Sequence, residues 1–264
     1  MNNQGGSRMY TAILTEKKEG VGIITFNRPE AYNAYSLEMR TEFAQALEEM
    51  ERDEEIKVII VTGAGDKAFC AGGDVKQQAA GFDVYSGRER VRNGNRTLLK
   101  MIKMDKPIIC AVNGLAIGVG ANLALAADIA IAVEGAKFSE IYINIGLIPD
   151  FGGAHFLPRA IGLARAKELV LTGRMVEAQE AKEIGLISRV VPREELMPAA
   201  FEMARSMAKR SAKALALDKD LLNRSLDLDL ATNLELEEFG MGLCFQSDEH
   251  RQAVKDFMAR KKNK

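Results

Sequence analysis

Two clusters of glycine lie where the sequence predicts a strand to pass into a helix: residues 71–74 (AGGD) and 118–120 (GVG). A glycine-rich turn that opens a helix leaves backbone N–H groups without partners. Such donors suit either a phosphate or an oxyanion that develops during a reaction. The sequence has no GxxxxGK[ST] phosphate loop, no GxGxxG around either turn and no GxSxG nucleophile elbow. An oxyanion site is therefore one interpretation, and glycines that only permit tight strand-helix packing are the other.

These turns belong to a series of motifs with a fixed order. The motifs are residues 27–34 (NRPEAYNA), 68–74 (AFCAGGD), 113–122 (NGLAIGVGAN), 146–153 (GLIPDFGG) and 171–174 (LTGR) with Glu180-Ala181. Each is weak alone, but their order and spacing together resemble the enoyl-CoA hydratase/isomerase (crotonase) family. The resemblance covers nearly the whole chain.

The resemblance implies a fold and a substrate class. The expected fold is α/β, a crotonase-like spiral of β-β-α repeats with a helical C-terminal trimerisation region. We divide the chain into an α/β core, residues 8–195, and a helical C-terminal subdomain, residues 196–264. The expected partners are an acyl-CoA thioester substrate and further copies of the chain, as a homotrimer or a dimer of trimers. No cofactor is expected to be bound permanently, because coenzyme A enters as part of the substrate.

In this family two backbone N–H groups bind the thioester oxygen, and by resemblance they fall on Gly73 and Val119. Removing a proton beside a thioester builds negative charge on its carbonyl oxygen, and each fixed donor can lower that barrier by about 3 kcal/mol. The family usually has glycine at the second position. Valine keeps the backbone donor but narrows the space beside the thioester.

The resemblance also indicates where coenzyme A would be held. Lys76 matches a family lysine near the coenzyme A phosphates, and the basic C-terminus matches residues that reach a neighbouring subunit's coenzyme A. The expected coenzyme A contacts are Ala31, Ala71, Gly72, Asp74, Lys76 and Lys261.

The catalytic carboxylates of hydratases are not where the resemblance would place them. Hydratases align one water between two glutamates, and these positions fall on Asn122 and Tyr142. Neither side chain is an acid at neutral pH, although both can form hydrogen bonds. Adding water across a double bond needs a base for the water and an acid for the α-carbon. Hydratase activity is therefore doubtful, and Asn122 and Tyr142 are expected to orient groups in the site.

Asp150, in the sequence IPDFGG, is the carboxylate left in the right neighbourhood. Apolar neighbours disfavour its charge and raise its pKa, which makes it a better base. An aspartate here resembles the family's isomerases, notably those acting on phenylacetyl-CoA-derived ring intermediates. One carboxylate suffices for an isomerase, since it can take a proton from one carbon and return it to another.

Other roles for the same residue and the same scaffold stay open. Asp150 matches the nucleophilic aspartate of 4-chlorobenzoyl-CoA dehalogenase, so covalent hydrolysis or dehalogenation is one alternative. A helix N-cap with no chemistry is another. The further alternatives are a hydratase, an enzyme of C–C bond chemistry, and a non-catalytic acyl-CoA or RNA-binding protein.

Four further residues near these motifs receive simpler interpretations. We predict that Glu140 lies at the surface, although it precedes the family's second glutamate position by two residues and could reach the site by a backbone shift. His155 is interpreted as a packed residue rather than a catalyst. Cys70 is interpreted as a small buried filler. Tyr142 is placed in a half-buried strand, with a core role as the alternative to orienting Asp150.

The elements that would position these residues alternate along the chain. Ser36 is predicted to cap a helix with apolar residues at helical spacing, and a charged helix is predicted near 88–104. The uncharged stretch 108–127 is interpreted as a strand, a glycine turn and a buried helix rather than a membrane span. The predicted strands are 21–26, 57–62, 107–112, 128–133 and 187–191.

Composition excludes several classes of protein. The 264 residues hold 36 Lys plus Arg and 37 Asp plus Glu, so no excess positive charge is present to bind nucleic acid or an anionic membrane. Three cysteines without a CxxC pair and two isolated histidines argue against disulfides and metal sites, and suit a reducing cytoplasm. The first eight residues, MNNQGGSR, have no apolar run and are not expected to be a secretory signal.

Overall fold

The computed structural model describes residues 10–79 and 81–262. The first eight residues, for which the sequence predicts no secretory signal, lie outside the described range. So do the first residues of the predicted α/β core and the last residues of the predicted C-terminal subdomain.

Strands and helices alternate through the first three quarters of the chain. The strands are β1 (Ile13–Lys18), β2 (Val21–Phe26), β3 (Val58–Gly63), β4 (Ala68–Cys70), β5 (Ile108–Val112), β6 (Leu115–Ile117), β7 (Ile129–Val133), β8 (Lys137–Ser139), β9 (Val176–Glu177) and β10 (Arg189–Val191). The α-helices are α1 (Leu37–Arg52), α2 (Val75–Gln78), α3 (Val84–Lys103), α4 (Val119–Ala126), α5 (Gly153–Ile161), α6 (Leu163–Thr172), α7 (Ala178–Glu183), α8 (Leu196–Ala208), α9 (Ala212–Arg224), α10 (Leu230–Phe245) and α11 (Asp248–Lys262).

The larger sheet has the strand order β1-β2-β3-β5-β7-β10. The pairs from β2 to β10 are parallel, whereas β1 pairs antiparallel with β2. Continuous apolar runs such as VIIVTG in β3 are typical of parallel strands buried on both faces, and every residue of β3 is buried. The predicted strand 21–26 is confirmed to the residue. The charged edge strand β1 was not predicted, because five of its six side chains are exposed.

The smaller sheet has the order β4-β6-β8-β9. The chain passes from the larger to the smaller sheet three times, from β3 to β4, from β5 to β6 and from β7 to β8. This winding is the predicted spiral of β-β-α repeats. Strands of two or three residues carry too little periodicity to be recognised from sequence, so the smaller sheet is visible only in the structure.

Side-chain caps set where the first helices begin. Ser36 Oγ accepts from the N–H of Met39, which confirms the predicted cap of α1. Helix α3 begins four residues before the predicted 88, because the Asp83 carboxylate accepts from the N–H groups of Tyr85 and Ser86. Such caps satisfy amide groups that the first helical turn leaves unpaired.

The uncharged stretch 108–127 folds as interpreted, into β5, β6 and the buried helix α4. Among the helices that the structure describes, none is long and apolar enough to cross a membrane.

The C-terminal helices differ in how they contact the core. Helix α8 lies against the larger sheet through the buried residues Leu196, Ala200 and Ala204. Helix α9 is joined to the core by Lys219, whose Nζ lies 2.9 Å from the Asp128 carboxylate. Helices α10 and α11 expose large apolar side chains, among them Phe239, Leu243, Phe245 and Phe257. The boundary at residue 195 and the trimer both stay predictions.

Candidate active site

A cavity of about 220 Å³ lies where both glycine turns meet the loop before α5. Gly73, Val119, Tyr142 and Asp150 all line it, so the structure brings together four residues that the sequence predicts for the site. A larger cavity, about 690 Å³, lies beside α9 and contains none of the predicted site residues.

The two glycine turns are pressed against each other. Gly72 adopts a φ of +97°, and a Cβ there would lie 3.1 Å from the carbonyl oxygen of Ile117. A Cβ on Gly120 would collide with the carbonyl oxygen of Cys70. Tight packing therefore requires glycine at both positions, and this packing places the two turns beside the same cavity.

The backbone N–H groups of Gly73 and Val119 are the two donors that the sequence predicts for an oxyanion. Within residues 10–79 and 81–262, neither donates a hydrogen bond to another residue. Gly73 and Tyr35 form an isolated parallel β-bridge. In this bridge the Tyr35 N–H donates to the Gly72 carbonyl at 2.8 Å, so the Gly73 N–H is not used. Val119 begins α4, where an unpaired N–H is expected. Two unpaired donors thus border the cavity.

Asp150 is the one carboxylate among the described residues that line the cavity. Burial raises its pKa, while the hydrogen bond from Tyr142 and the charges of Arg90 and Arg40 act in the opposite direction. The Tyr142 hydroxyl donates to Asp150 Oδ1 at 2.6 Å. The N-cap interpretation is wrong, because the residue at the N-cap of α5 is Gly152 and no side chain caps that helix. The carboxyl group is left available to the cavity.

Tyr142 lies in a short 3-10 helix, Ile141–Ile145, and not in the predicted strand. Its ring is buried, and burial together with the charge of Asp150 raises the pKa of its hydroxyl well above the ordinary value. The hydroxyl therefore stays protonated at neutral pH and serves Asp150 as a donor.

Asn122 lies behind Asp150 and Tyr142 rather than in the cavity lining. Its Nδ2 donates to the Asp150 backbone carbonyl at 2.9 Å and lies 3.3 Å from the Tyr142 hydroxyl. Its Oδ1 is buried without a partner among the described residues. The side chain thus supports the backbone that presents Asp150.

Glu140 is buried, with 4% of its surface exposed, so the surface prediction is wrong. Burial raises its pKa to about 7, and its Oε2 lies 3.4 Å from Asn122 Nδ2. Glu140 directly follows strand β8, and this short strand carries it inward. It does not line the described cavity.

The predicted coenzyme A contacts fall in different places. Ala71 and Gly72 line the cavity, whereas Ala31 lies in a 3-10 turn outside its lining. Asp74 caps α2 by accepting from the Lys76 N–H and pairs with Arg28 at 2.9 Å. Lys76 itself is exposed on α2. Lys261 belongs to α11, but its side chain lies outside the described part of the structure.

His155 and Cys70 do not line the cavity. His155 is about half exposed on α5, so the prediction of a packed residue is wrong. Its Nε2 lies 3.9 Å from the Asp227 carboxylate. Cys70 is fully buried, as predicted, and burial raises the pKa of its thiol to about 12. The described residues contain no group of three or more His, Cys, Asp or Glu that could hold a metal ion.

Sequence reasoning missed the two charged residues of the cavity lining besides Asp150, which are Arg40 on α1 and Arg90 on α3. Each lies on a helix whose charged residues are mostly solvent-facing. No motif distinguishes them from those neighbours, so their position became visible only with the packing of α1 against α3.

Comparison with known proteins identifies the class. The sequence profile described as Enoyl-CoA hydratase/isomerase matches residues 16–264. The chain belongs to the enoyl-CoA hydratase/isomerase family and is an acyl-CoA thioester enzyme of that family.

Some relatives of this chain are named hydratases and others isomerases. The chain is 39% identical to the 1,2-epoxyphenylacetyl-CoA isomerase of Escherichia coli, over 96% of this chain and 97% of that protein. It is 35% identical to the short-chain-enoyl-CoA hydratase of Clostridium acetobutylicum, over 95% of each chain. The crystal structure of an enoyl-CoA hydratase from Bacillus anthracis superposes with a TM-score of 0.91 at 35% identity, covering 95% of this chain and 97% of that one.

Proposed function

We propose that this protein is an enoyl-CoA isomerase that moves a carbon-carbon double bond toward the thioester, with Asp150 as its base. The observation that carries the proposal is the placement of Asp150, which is the one carboxylate among the described residues of the cavity and is oriented by Tyr142. Coenzyme A takes part only as the carrier of the acyl group.

The oxyanion would be held by the N–H groups of Gly73 and Val119. Their lack of partners among the described residues and their shared cavity support this assignment. A thioester oxygen between them would gain two hydrogen bonds as negative charge develops, each lowering the barrier by about 3 kcal/mol. The carbon beside the thioester would then face Asp150.

The proposed reaction needs a single carboxylate. Ionised Asp150 takes a proton from the α-carbon of a 3-enoyl-CoA, and the electron pair of that C–H bond becomes part of a dienolate. The dienolate then takes the same proton back at the γ-carbon, which leaves the double bond between the α- and β-carbons. Burial raises the pKa of Asp150, so the carboxylate is a stronger base than an exposed aspartate.

Hydration is the alternative, since several relatives are named hydratases. A hydratase needs a second acid-base group beside the same double bond. Glu140 is a further buried acidic group, with its carboxylate 3.4 Å from Asn122 Nδ2, but it does not line the cavity. This placement favours the isomerase.

The proposal is tested by offering the purified protein three substrates: 3-hexenoyl-CoA, 2-hexenoyl-CoA and 4-chlorobenzoyl-CoA. We expect conversion of 3-hexenoyl-CoA to 2-hexenoyl-CoA, and a loss of about 10³-fold in Asp150→Asn, which is in the range of general-base removal. Thermal unfolding of the variant serves as the control for folding.

Either of two results would contradict the proposal. One is rapid formation of 3-hydroxyhexanoyl-CoA from 2-hexenoyl-CoA at a rate that the substitution leaves unchanged. The other is release of chloride from the halobenzoyl substrate, which would indicate a nucleophilic aspartate.

A further inference from the structure

We propose that the acyl group of the physiological substrate ends in a carboxylate, and that Arg40 and Arg90 bind this carboxylate inside the cavity. The inference rests on the proposed function only in placing the acyl group in the same cavity. It concerns the end of the acyl group far from the thioester, which the proposed catalytic residues do not contact.

The two arginines are fixed beside each other. Both line the cavity and both are partly buried. Arg40 Nη1 donates to the backbone carbonyl of Arg90 at 2.7 Å, which ties α1 to α3. The Arg90 guanidinium lies over the ring of Phe82, 5.3 Å from its centroid. Most of their N–H donors remain available, because a guanidinium has five.

The protein balances the charge of this pair only in part, because Asp150 attracts both guanidinium groups from the same cavity but forms a direct ion pair with neither. In the described part of the chain, no carboxylate oxygen lies within 4.0 Å of a guanidinium nitrogen of Arg40 or Arg90. Among the described residues, the cavity lining holds these two cations and a single anion, Asp150, whose carboxylate already accepts from Tyr142. Partly buried cations are costly unless an anion offsets their charge. Burial and, after it, the charge of Arg90 lower the pKa of Arg40, and the opposing charge of Asp150 does not cancel this effect. A ligand carboxylate would remove this imbalance.

The remaining walls and the size of the cavity fit such a ligand. Val91, Ile145, Leu147 and Phe151 line it with apolar surface. A cavity of 150 Å³ can hold a benzene molecule, so one of about 220 Å³ has room for a short chain of about six carbons. Guanidinium groups bind carboxylates through paired, charge-assisted hydrogen bonds. The expected substrate class is therefore a short unsaturated dicarboxylic acid linked to coenzyme A through one carboxyl group.

A phosphate of coenzyme A is the other anion that two arginines could bind. Saturated ligands distinguish the two sources, because adipoyl-CoA and hexanoyl-CoA share the coenzyme A moiety and differ in the distal carboxylate. The pairs glutaryl- and pentanoyl-CoA, and pimeloyl- and heptanoyl-CoA, vary the length. Affinities would be measured by isothermal titration calorimetry on wild type, Arg90→Met, Arg40→Met and the control Arg92→Met.

Arg90→Met is the primary variant, since the bond from Arg40 goes to the Arg90 backbone and survives the substitution. Arg92 lies two residues away on α3, pairs with Glu89 at 3.1 Å and does not line the cavity. In wild type we expect at least one dicarboxylic ligand to bind tenfold or more tightly than its partner of equal carbon number. The ratio should fall below threefold in Arg90→Met and in Arg40→Met, and stay unchanged in Arg92→Met.

The inference is overturned if no dicarboxylic ligand is preferred at any length. It is also overturned if Arg90→Met weakens coenzyme A, hexanoyl-CoA and adipoyl-CoA by the same factor, since the arginines would then bind a phosphate. None of these ligands can isomerise, so the binding ratios do not depend on turnover. Failure of the isomerase assay and failure of this inference are therefore separate results.

Discussion

The proposed proton transfer depends on Asp150 and on the Tyr142 hydroxyl that donates to it. Burial raises the pKa of Asp150, and the Tyr142 hydroxyl, 2.6 Å away, favours its charged form. The base must be ionised to accept a proton, so activity is present above the pKa of Asp150 and is lost as the pH falls through it.

Replacing Tyr142 by phenylalanine removes the hydrogen bond that stabilises the carboxylate. The pKa of Asp150 then rises further, because burial is no longer opposed by this donor. We expect the acidic limb of the kcat/KM profile for 3-hexenoyl-CoA to move to higher pH in Tyr142→Phe. Tyr35→Phe is the matched control, since the Tyr35 hydroxyl also belongs to a cavity residue but has no hydrogen-bond partner among the described residues. An acidic limb that stays in place, or moves to lower pH, would contradict this role of Tyr142.

The sequence predicts Asp150, Gly73 and Val119 as site residues because each lies within one of the ordered motifs that resemble the family, and the structure places all three in the lining of one cavity. It does not reveal the burial of Glu140, since the depth of that residue depends on a three-residue strand of the smaller sheet. Arg40 and Arg90 are likewise hidden, because one position along a helix decides whether a charged side chain faces solvent or a cavity. Residue roles that depend on packing between distant segments are therefore the ones that sequence reasoning misses.

The glycine turns are the elements that place two N–H groups beside one cavity. The Gly120 Cα lies so close to the Cys70 carbonyl that no side chain fits between them, and Gly72 combines a positive φ with close approach to Ile117. Close approach of backbone to backbone, rather than flexibility, is the reason for glycine here. The long buried strands were predictable from their apolar runs, but the contact between the turns follows from the smaller sheet, in which β4 pairs with β6.

Gly120→Ala tests this contact. The added methyl group must displace the backbone carbonyl of Cys70, so we expect a loss of about 3 kcal/mol or more in the free energy of unfolding, at the upper end of overpacking effects. Gly87→Ala is the control, because Gly87 lies inside α3 and its Cβ would meet only an ordinary contact, 3.5 Å from Phe82 Cβ. Alanine there should be neutral or stabilising by up to about 1 kcal/mol, the helix-propensity difference. Equal stabilities of the two variants in urea denaturation would contradict the steric account.

The whole molecule consists of a two-sheet core and C-terminal helices that contact it unevenly. Lys219 of α9 is buried, and its Nζ donates to the backbone carbonyls of Met101 and Lys106 as well as pairing with Asp128. This one side chain joins α9 to the end of α3, the loop that follows and the start of β7. Helices α10 and α11 expose large apolar side chains, and the trimer stays a prediction.

Lys219→Met should loosen this attachment. The substitution removes the Lys219 donor from two backbone carbonyls and from the Asp128 carboxylate, which keeps, among the described residues, only the donor at the Ile108 N–H. We expect a loss of about 2–3 kcal/mol, somewhat below the range for breaking a fully buried pair because Asp128 is partly exposed. Hydrogen exchange of the α9 amides should accelerate, while exchange in β3 and β5 stays slow. Lys213→Met, an exposed position on the same helix, is the control. Unchanged exchange in α9 would show that other contacts hold the helix.

The claim at the centre of this account is that one carboxylate removes and returns the same proton. It is tested most directly with 3-hexenoyl-CoA carrying two deuterium atoms on the α-carbon, converted in ordinary water in a single turnover. Transfer by a buried Asp150 predicts that a measurable fraction of the 2-hexenoyl-CoA product retains both deuterium atoms, with the second one on the γ-carbon. Product that carries only one deuterium atom throughout would contradict transfer by a single base.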